Sequence, residues 1–284
     1  MRYWKGSIAL SSTRDYPLLR QVLHSGFVTH SQLFEFLRLD YCVSSRNAFN
    51  NRVLRLLNHR LLIRHAMLFP NREAVYSISE TGASELVSKG ECTRTDHVKS
   101  SNGRSQLNHS LDLNEIHLAL KRTGTLVYWT SETEIRSRND LTAGGYSKYY
   151  DAVVVVRLEG QDCKFALEYE RTPKAVRHYA AVSERIETET SIAQFLYLMP
   201  NYDLLWFVAD KLFNCKRAVY FGLLRDFLQQ TLAMPVRGNG SPASVTLASV
   251  LTKGKRRKGV APSFRVLPCD CGVIGVFLKG QGQT

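Results

Sequence analysis

Apolar side chains recur at helical spacing through the first part of the chain. In Arg14–Gly26 they fall at Leu18, Leu19, Val22 and Leu23, with Gly26 as the stop. Thr29 stands where an N-cap belongs, ahead of a second helix over His30–Arg38 with Leu33, Phe36 and Leu37 inward. Ser44 or Ser45 then caps a third helix, Arg46–His59, whose stripe is Phe49, Val53, Leu56 and Leu57. The runs LLIRHAMLF and EAVYSIS flank Pro70-Asn71-Arg72, a turn between two strands. Helices followed by a hairpin give the order of a winged helix-turn-helix over residues 1–88.

Periodicity then disappears. Residues 89–108 are polar and are expected to be a linker. A second domain is expected over 109–252. It begins with a helix over His109–Arg122, a strand over Thr125–Trp129 and a polar loop or short helix over Ser131–Arg138. Two apolar runs follow, DAVVVVR and KFALEYE, separated by a polar turn at Glu159-Gly160-Gln161-Asp162. Pro173 is expected at the first position of the next helix, which runs to about Thr188. The continuous apolar run Tyr202–Ala209 predicts a buried strand, Lys216–Gln230 an amphipathic helix and Val245–Leu251 one more strand. The sum is an α+β or α/β chain with a mixed sheet flanked by helices. Residues 253–284 are a basic, Gly-rich tail. Its KGKRRK stretch serves either as a phosphate-tracking arm or as plain solvating charge.

The candidate chemistry sits on the central hairpin. Side chains two apart on a strand share a face, so Glu168 and Glu170 point one way and Leu167 and Tyr169 the other. If the two runs pair, Asp151 opens one strand and the glutamates close its neighbour, which brings three carboxylates toward one spot. Such a set suits a hard cation, Mg²⁺ or Mn²⁺. An exposed strand end with scattered acids fits the same spacing.

Charge narrows the partner. The chain of 284 residues carries a net charge of +13, with 44% hydrophobic and 22% charged residues, so it is a folded protein suited to a polyanion, above all nucleic acid. On the third helix Arg46, Asn47, Asn50, Asn51 and Arg55 lie opposite the apolar stripe. Asn and Arg there can read bases and hold phosphates, with Arg64 and Arg72 as wing contacts. The same face is merely solvated if the domain makes protein contacts only. No run of 18 apolar residues and no apolar leader is present, so a cytoplasmic protein without membrane insertion is expected. The six cysteines, at 42, 92, 163, 215, 269 and 271, are read as reduced thiols. No phosphate-binding Gly-rich loop, dinucleotide fingerprint or G-x-S-x-G elbow occurs. No two histidines stand two apart, which disfavours a His-hydrophobic-His relaxase triad. His178 and Tyr179, on the helix after the hairpin, fit surface or packing roles better than catalysis.

The order of elements, with an acid opening one strand and an E-x-acid closing the next, resembles the PD-(D/E)xK nuclease fold. Residues 108–180 look like the bacterial replication-relaxation family of mobile elements. The matching words are His109 and Asn114-Glu115 in HSLDLNEIHLAL, Trp129 and Glu132 in WTSE, Asp151 in YYDAVVVV, and Glu168-Tyr169-Glu170-Arg171-Thr172 in LEYERT. With the N-terminal winged helix the resemblance spans about residues 14–212. The plan is also similar to that of MobC-type conjugative relaxases. The resemblance implies metal-dependent cleavage of double-stranded DNA, as a nuclease or nickase acting at a plasmid origin, with relaxosome or coupling proteins and a second copy of the chain as partners. Asp151 and Glu168 are then the Mg²⁺ ligands, and Glu115 joins through water. The motif lysine is replaced by Glu170, a further ligand or base, so that Lys148 or Lys174 has to bring the cation from a neighbouring element. Arg171 contacts DNA phosphate or pairs with one of the acids. A DNA-binding accessory or repressor with a degenerate nuclease fold is the alternative.

Overall fold

The computed structural model describes residues 8–65, 73–90, 92, 104–141, 145–239 and 244–253. The Pro70-Asn71-Arg72 turn, most of the expected linker, Cys269, Cys271 and the KGKRRK stretch lie outside these residues.

The N-terminal helices form where apolar spacing and caps agree. Helix α1 (Asp15–Ser25) ends at Gly26, which takes the positive φ of 69° that glycine tolerates. A short strand β1 (Val28–Thr29) leads into α2 (His30–Tyr41). Thr29 and Gln32 close a reciprocal capping box there, so α2 starts where its cap predicts and runs three residues past Arg38. Ser45 accepts from the Ala48 amide and starts α3 (Arg46–Asn58). Strands β2 (Leu62–His65) and β3 (Val75–Ile78) pair antiparallel, and β1 joins them in a three-stranded sheet of order β1-β3-β2. Helix α4 (Glu80–Ser88) follows, capped by Ser79. Neither β1 nor α4 was expected: a two-residue strand has no period to show, and α4 is short.

The helix expected from His109 begins earlier, as α5 (Arg104–Arg122). It is followed by β4 (Leu126–Ser131), α6 (Glu132–Leu141), β5 (Ala152–Leu158) and β6 (Gln161–Tyr169). The β5–β6 loop is the two-residue turn Glu159-Gly160, both at positive φ, which suits the right-handed twist of a hairpin. After α7 (Val176–Thr188) come β7 (Gln194–Met199), α8 (Tyr202–Lys211), β8 (Ala218–Leu223), α9 (Leu224–Gln230), β9 (Pro235–Gly238), β10 (Ser244–Thr246) and α10 (Leu247–Lys253). The strands form a seven-stranded mixed sheet in the order β10-β9-β8-β7-β6-β5-β4. Strands β6, β7 and β8 run parallel at its centre, and antiparallel pairs flank them.

Several sequence expectations are corrected. Tyr202–Ala209 is helix, not strand: Asn201 caps it through the Leu204 amide, and Leu204, Leu205 and Val208 face the sheet while Tyr202 and Trp206 lie exposed. The central buried strand is instead QFLYLM, β7, buried along its whole length as a parallel strand should be. Lys216–Gln230 divides into β8 and α9. The spacing of Val219, Leu223 and Phe227 fits a helix, but Gly222 in the middle belongs to a strand, where its missing Cβ makes room for Met234. Pro173 lies ahead of α7 rather than at its first position, and Val245–Leu251 is largely α10.

Helices cover both faces of the sheet. On one side α6, α7 and α8 pack on Val153, Ala166, Phe195, Tyr197 and Phe221; on the other α5, α9 and α10 pack on Val154, Phe165, Leu167, Tyr169 and Leu198. Helix α5 belongs to two cores at once. Its Ile116 and Leu120 sit against the sheet, while Leu118 packs with α1–α4. Gln32 reaches from α2 to the Leu111 carbonyl (3.0 Å) and Glu115 Oε1 (2.8 Å), and Asn114 donates to the Phe27 carbonyl at 2.7 Å. Among the described residues no helix is long and apolar enough to cross a membrane.

Candidate functional site

Alternation along β6 decides what faces what. Leu167 and Tyr169 enter the α5-side core, so Glu168 and Glu170 project from the opposite face, where both are buried. Ala152 pairs with Leu167, which sets Asp151 beside Glu168 at the end of the β5–β6 ladder. Asp151 is pinned there: its Oδ2 accepts from the Tyr169 amide at 2.8 Å and lies 3.3 Å from His109 Nε2. His109 also sits 3.1 Å from the Tyr169 carbonyl and stacks on the Tyr169 ring.

Each acid has its own cation. Lys148, in the loop before β5, pairs with Glu168, and Lys174, after β6, lies 3.1 Å from Glu170. The Lys148 loop is held by buried Glu189, which accepts from the Ser147 amide at 2.9 Å and its hydroxyl at 3.0 Å. Both lysines proposed to replace the motif cation therefore reach the carboxylates, each from its own loop. Glu115 does not join them. Its carboxylate is held by Gln32, two turns along α5 from His109. Arg171 pairs with Asp112 at 3.2 Å rather than with the three acids, and Asp112 also accepts from the Tyr169 hydroxyl. His178 is exposed, and Tyr179 is packed in the core with its hydroxyl accepting from the Lys174 amide.

The electrostatics follow from burial and crowding. Burial, opposed by Lys148 and reinforced by Asp151, lifts the Glu168 carboxyl to about 7. Partial burial pushes Asp151 up, but His109, the Tyr169 amide and Lys148 outweigh it and hold the group below the ordinary carboxylate range. Burial raises Glu170 against the pull of Lys174, and Lys174 is raised because Glu170 and the other acids outweigh its own desolvation. Tyr197, on β7, is buried beside the same acids, and its hydroxyl has no hydrogen-bond partner among the described residues. Burial first, then Glu168, drives its pKa well above the usual value.

Among the described residues no group of three or more His, Cys, Asp or Glu side chains is placed to hold a metal ion. The expectation of a three-acid cage is not met. The donor chemistry still suits Mg²⁺, which is commonly held by one or two carboxylates with waters and substrate oxygens filling the remaining positions. Asp151, partly buried, and Glu168, buried, are two such carboxylates, side by side and repelling each other, with an unused hydroxyl donor at Tyr197.

The α3 face is partly as expected. Arg46, Asn47, Asn50, Asn51 and Arg55 are exposed, and so is Arg64 on β2. Arg46 and Arg64 both bear on His30, so helix and strand present charge on one side. Arg46 lies 4.5 Å over the Phe34 ring, and Asn50 Oδ1 accepts from His30 Nε2 at 2.9 Å. Arg55 is engaged differently, 2.5 Å from Asp15, a buried carboxylate that Arg52 also approaches at 3.4 Å. Arg72 lies outside the described residues. Sequence reading missed the roles of Glu189, Asp112 and Tyr197; it had quoted His109 as part of a motif without its partner Asp151.

No family model matches the sequence, and no curated protein matches it. The structure of the restriction endonuclease FokI bound to DNA is similar over 79% of this chain and 45% of that one, at 12% identity and a TM-score of 0.23. The chain thus spans less than half the length of that protein, and a likeness this distant carries no weight for the fold or the chemistry.

Proposed function

We propose that the chain is a DNA-binding, metal-dependent nuclease or nickase with a winged-helix reader and a PD-(D/E)xK-like catalytic sheet. The observation that supports it best is the side-by-side placement of Asp151 and Glu168 at one strand end, with Lys148 and Lys174 flanking them and His109 fixing Asp151. Asp151 and Glu168 would hold Mg²⁺, which when bound supplies Lewis acidity at a phosphate and lowers the pKa of a water. Lys148 supplies positive charge where a pentavalent phosphate builds negative charge. In the metal-free site Glu168 has its pKa raised to about 7, so taking up Mg²⁺ would release its proton. Tyr197 offers a hydroxyl donor to the same spot, and His109 orients Asp151. The reader is α3, with Asn47 and Asn51 as base-reading side chains and Arg46 and Arg64 as phosphate contacts. A mobilisation or replication role, with relaxosome partners, rests on the family resemblance alone.

One observation favours the alternative of a DNA-binding accessory: each carboxylate already has an internal partner, Lys148, Lys174 or His109, so the network can be purely structural. Incubation with supercoiled plasmid and Mg²⁺ or Mn²⁺ separates the two. Nicking by the parent and not by Asp151→Ala or Glu168→Gln supports the enzyme. Duplex binding with no strand cut under either metal leaves the accessory. Asn47→Ala and Asn51→Ala are expected to weaken duplex binding by about 1–3 kcal/mol each. Unchanged affinity in both removes α3 from the groove.

A further inference from the structure

A cavity of about 440 Å³ lies between the N-terminal helices and the β4 edge of the sheet, and Asp151 is one of its lining residues. Helix α1 supplies one wall through Gln21, His24 and Ser25. The opposite side carries Trp129 and His117, whose rings stack at 4.2 Å with an angle of 5°. His117 is buried between Trp129 and Phe36, and burial holds it well below its usual pKa, so Trp129 is backed by an uncharged ring.

The size falls within the range of small-ligand pockets, roughly 300–1,000 Å³. Its chemistry argues against a phosphate, because acids (Asp40, Glu132, Glu134 and Asp151) outnumber Arg20 and Lys121 along the walls. A flat, neutral heterocycle with donors and acceptors fits better. Trp129, backed on one face by His117, offers its ring for stacking. Gln21 spends its amide N–H on Ser25 at 3.0 Å, which leaves its carbonyl as an acceptor. His24 is fixed by Ser131 at 3.1 Å. We propose that this cavity receives one unstacked nucleobase next to the phosphate that a metal ion on Asp151 and Glu168 would engage. The inference rests on the nuclease reading and adds that α1 of the N-terminal unit completes the catalytic groove. Enzymes that act on a nucleic acid strand commonly take a base out of its stack in this way, and stacking on an aromatic wall offsets the loss.

The test uses the full chain carrying Trp4→Phe and Trp206→Phe, which leaves Trp129 as the sole tryptophan. In EDTA it is titrated with a single-stranded thymidine tetramer and with an abasic tetramer of equal phosphate count. The base-bearing tetramer is expected to change Trp129 emission and to bind at least ten-fold more tightly, roughly the worth of one stacked base. Gln21→Phe and Ser25→Phe, which fill the cavity, are expected to bring its affinity down to the abasic level at an unchanged melting temperature. Two variants are used so that one remains if the other fails to fold. Equal affinity for both tetramers, or filled variants that bind like the parent, overturns the pocket. Plasmid nicking by the parent without a base-dependent signal overturns the pocket alone. A base-dependent signal without nicking under either metal supports the pocket and overturns the nuclease.

Discussion

Replacing Glu168 by glutamine separates a carboxylate kept for chemistry from one kept for stability. Burial, opposed by Lys148 and reinforced by Asp151, lifts its pKa from 4.5 to about 7. In the unfolded chain the group titrates at its ordinary value. Between those two pH values the folded state therefore binds more protons than the unfolded state, and stability falls as pH rises through the window. The whole shift corresponds to about 3 kcal/mol against the ionised form, with the attraction of Lys148 already included. Glutamine has the same shape and never ionises. Glu168→Gln should match the parent near pH 4.5 and exceed its stability by roughly 2–3 kcal/mol at pH 8, about 4–6 °C in Tm for a chain of this size. Urea denaturation in EDTA across that range measures the difference. A variant less stable than the parent by a constant amount at every pH refutes the reasoning, because Glu168 would then be only the structural counter-ion of Lys148. Gained stability together with lost nicking is the signature of a group retained against the interest of the fold.

Other perturbations test the remaining contacts. His109→Ala removes the partner of Asp151 and should lower nicking by about 10–100-fold with duplex affinity unchanged in a gel shift. Asp15→Ala strips Arg52 and Arg55 of their buried acid and should cost about 3 kcal/mol in urea denaturation. Arg55→Ala, whose partner Asp15 lies inside, should cost about 0.5–1 kcal/mol of stability and leave DNA affinity intact. A methyl group at Gly82 falls against the Leu61 carbonyl, whereas one at Gly222 meets only the end of the Met234 side chain. Gly82→Ala should therefore cost roughly 2–3 kcal/mol and Gly222→Ala under about 1 kcal/mol in the same assay.

Local signals made the N-terminal elements and the hairpin legible. Thr29-x-x-Gln32 and Ser45 are caps whose chemistry lies within three residues, and Glu159-Gly160 is a turn that needs only its own backbone. The acid positions followed from strand alternation. What spacing could not supply was the partner list. Lys148 meets Glu168 because Glu189, far along the chain, holds the loop, and His109 meets Asp151 because α5 crosses the end of the sheet. The misplaced central strand has one reason. A parallel central strand and a buried helix face are both continuous apolar runs, so YDLLWFVA and QFLYLM cannot be told apart by hydrophobicity. The distinguishing signs were Asn201 at a cap position and Gly222 inside a supposed helix.

Helix α5 gives the two halves of the chain a fixed relation. Its nineteen residues span about 28 Å as one rigid rod. Toward its start His109 fixes Asp151 at the carboxylate centre. In its middle Asn114 and Glu115 hold the β1–α2 corner through Phe27 and Gln32, and at its end Lys121 and Arg122 pair with Asp40 and Glu35 of α2. Contacts along three levels of one helix resist both sliding and rotation of α2, and the capping box ties α2 to β1 and so to the small sheet on which α3 rests. An enzyme whose reader swings on a flexible tether cuts at a spread of distances. On the proposed reading α3 is tied through the small sheet and α2 to the helix that fixes Asp151, so strand breaks at a bound site should fall within about one or two nucleotides of a single position. Primer extension from nicked plasmid displays that directly, and a broad ladder of breaks from an intact chain contradicts the rigid coupling.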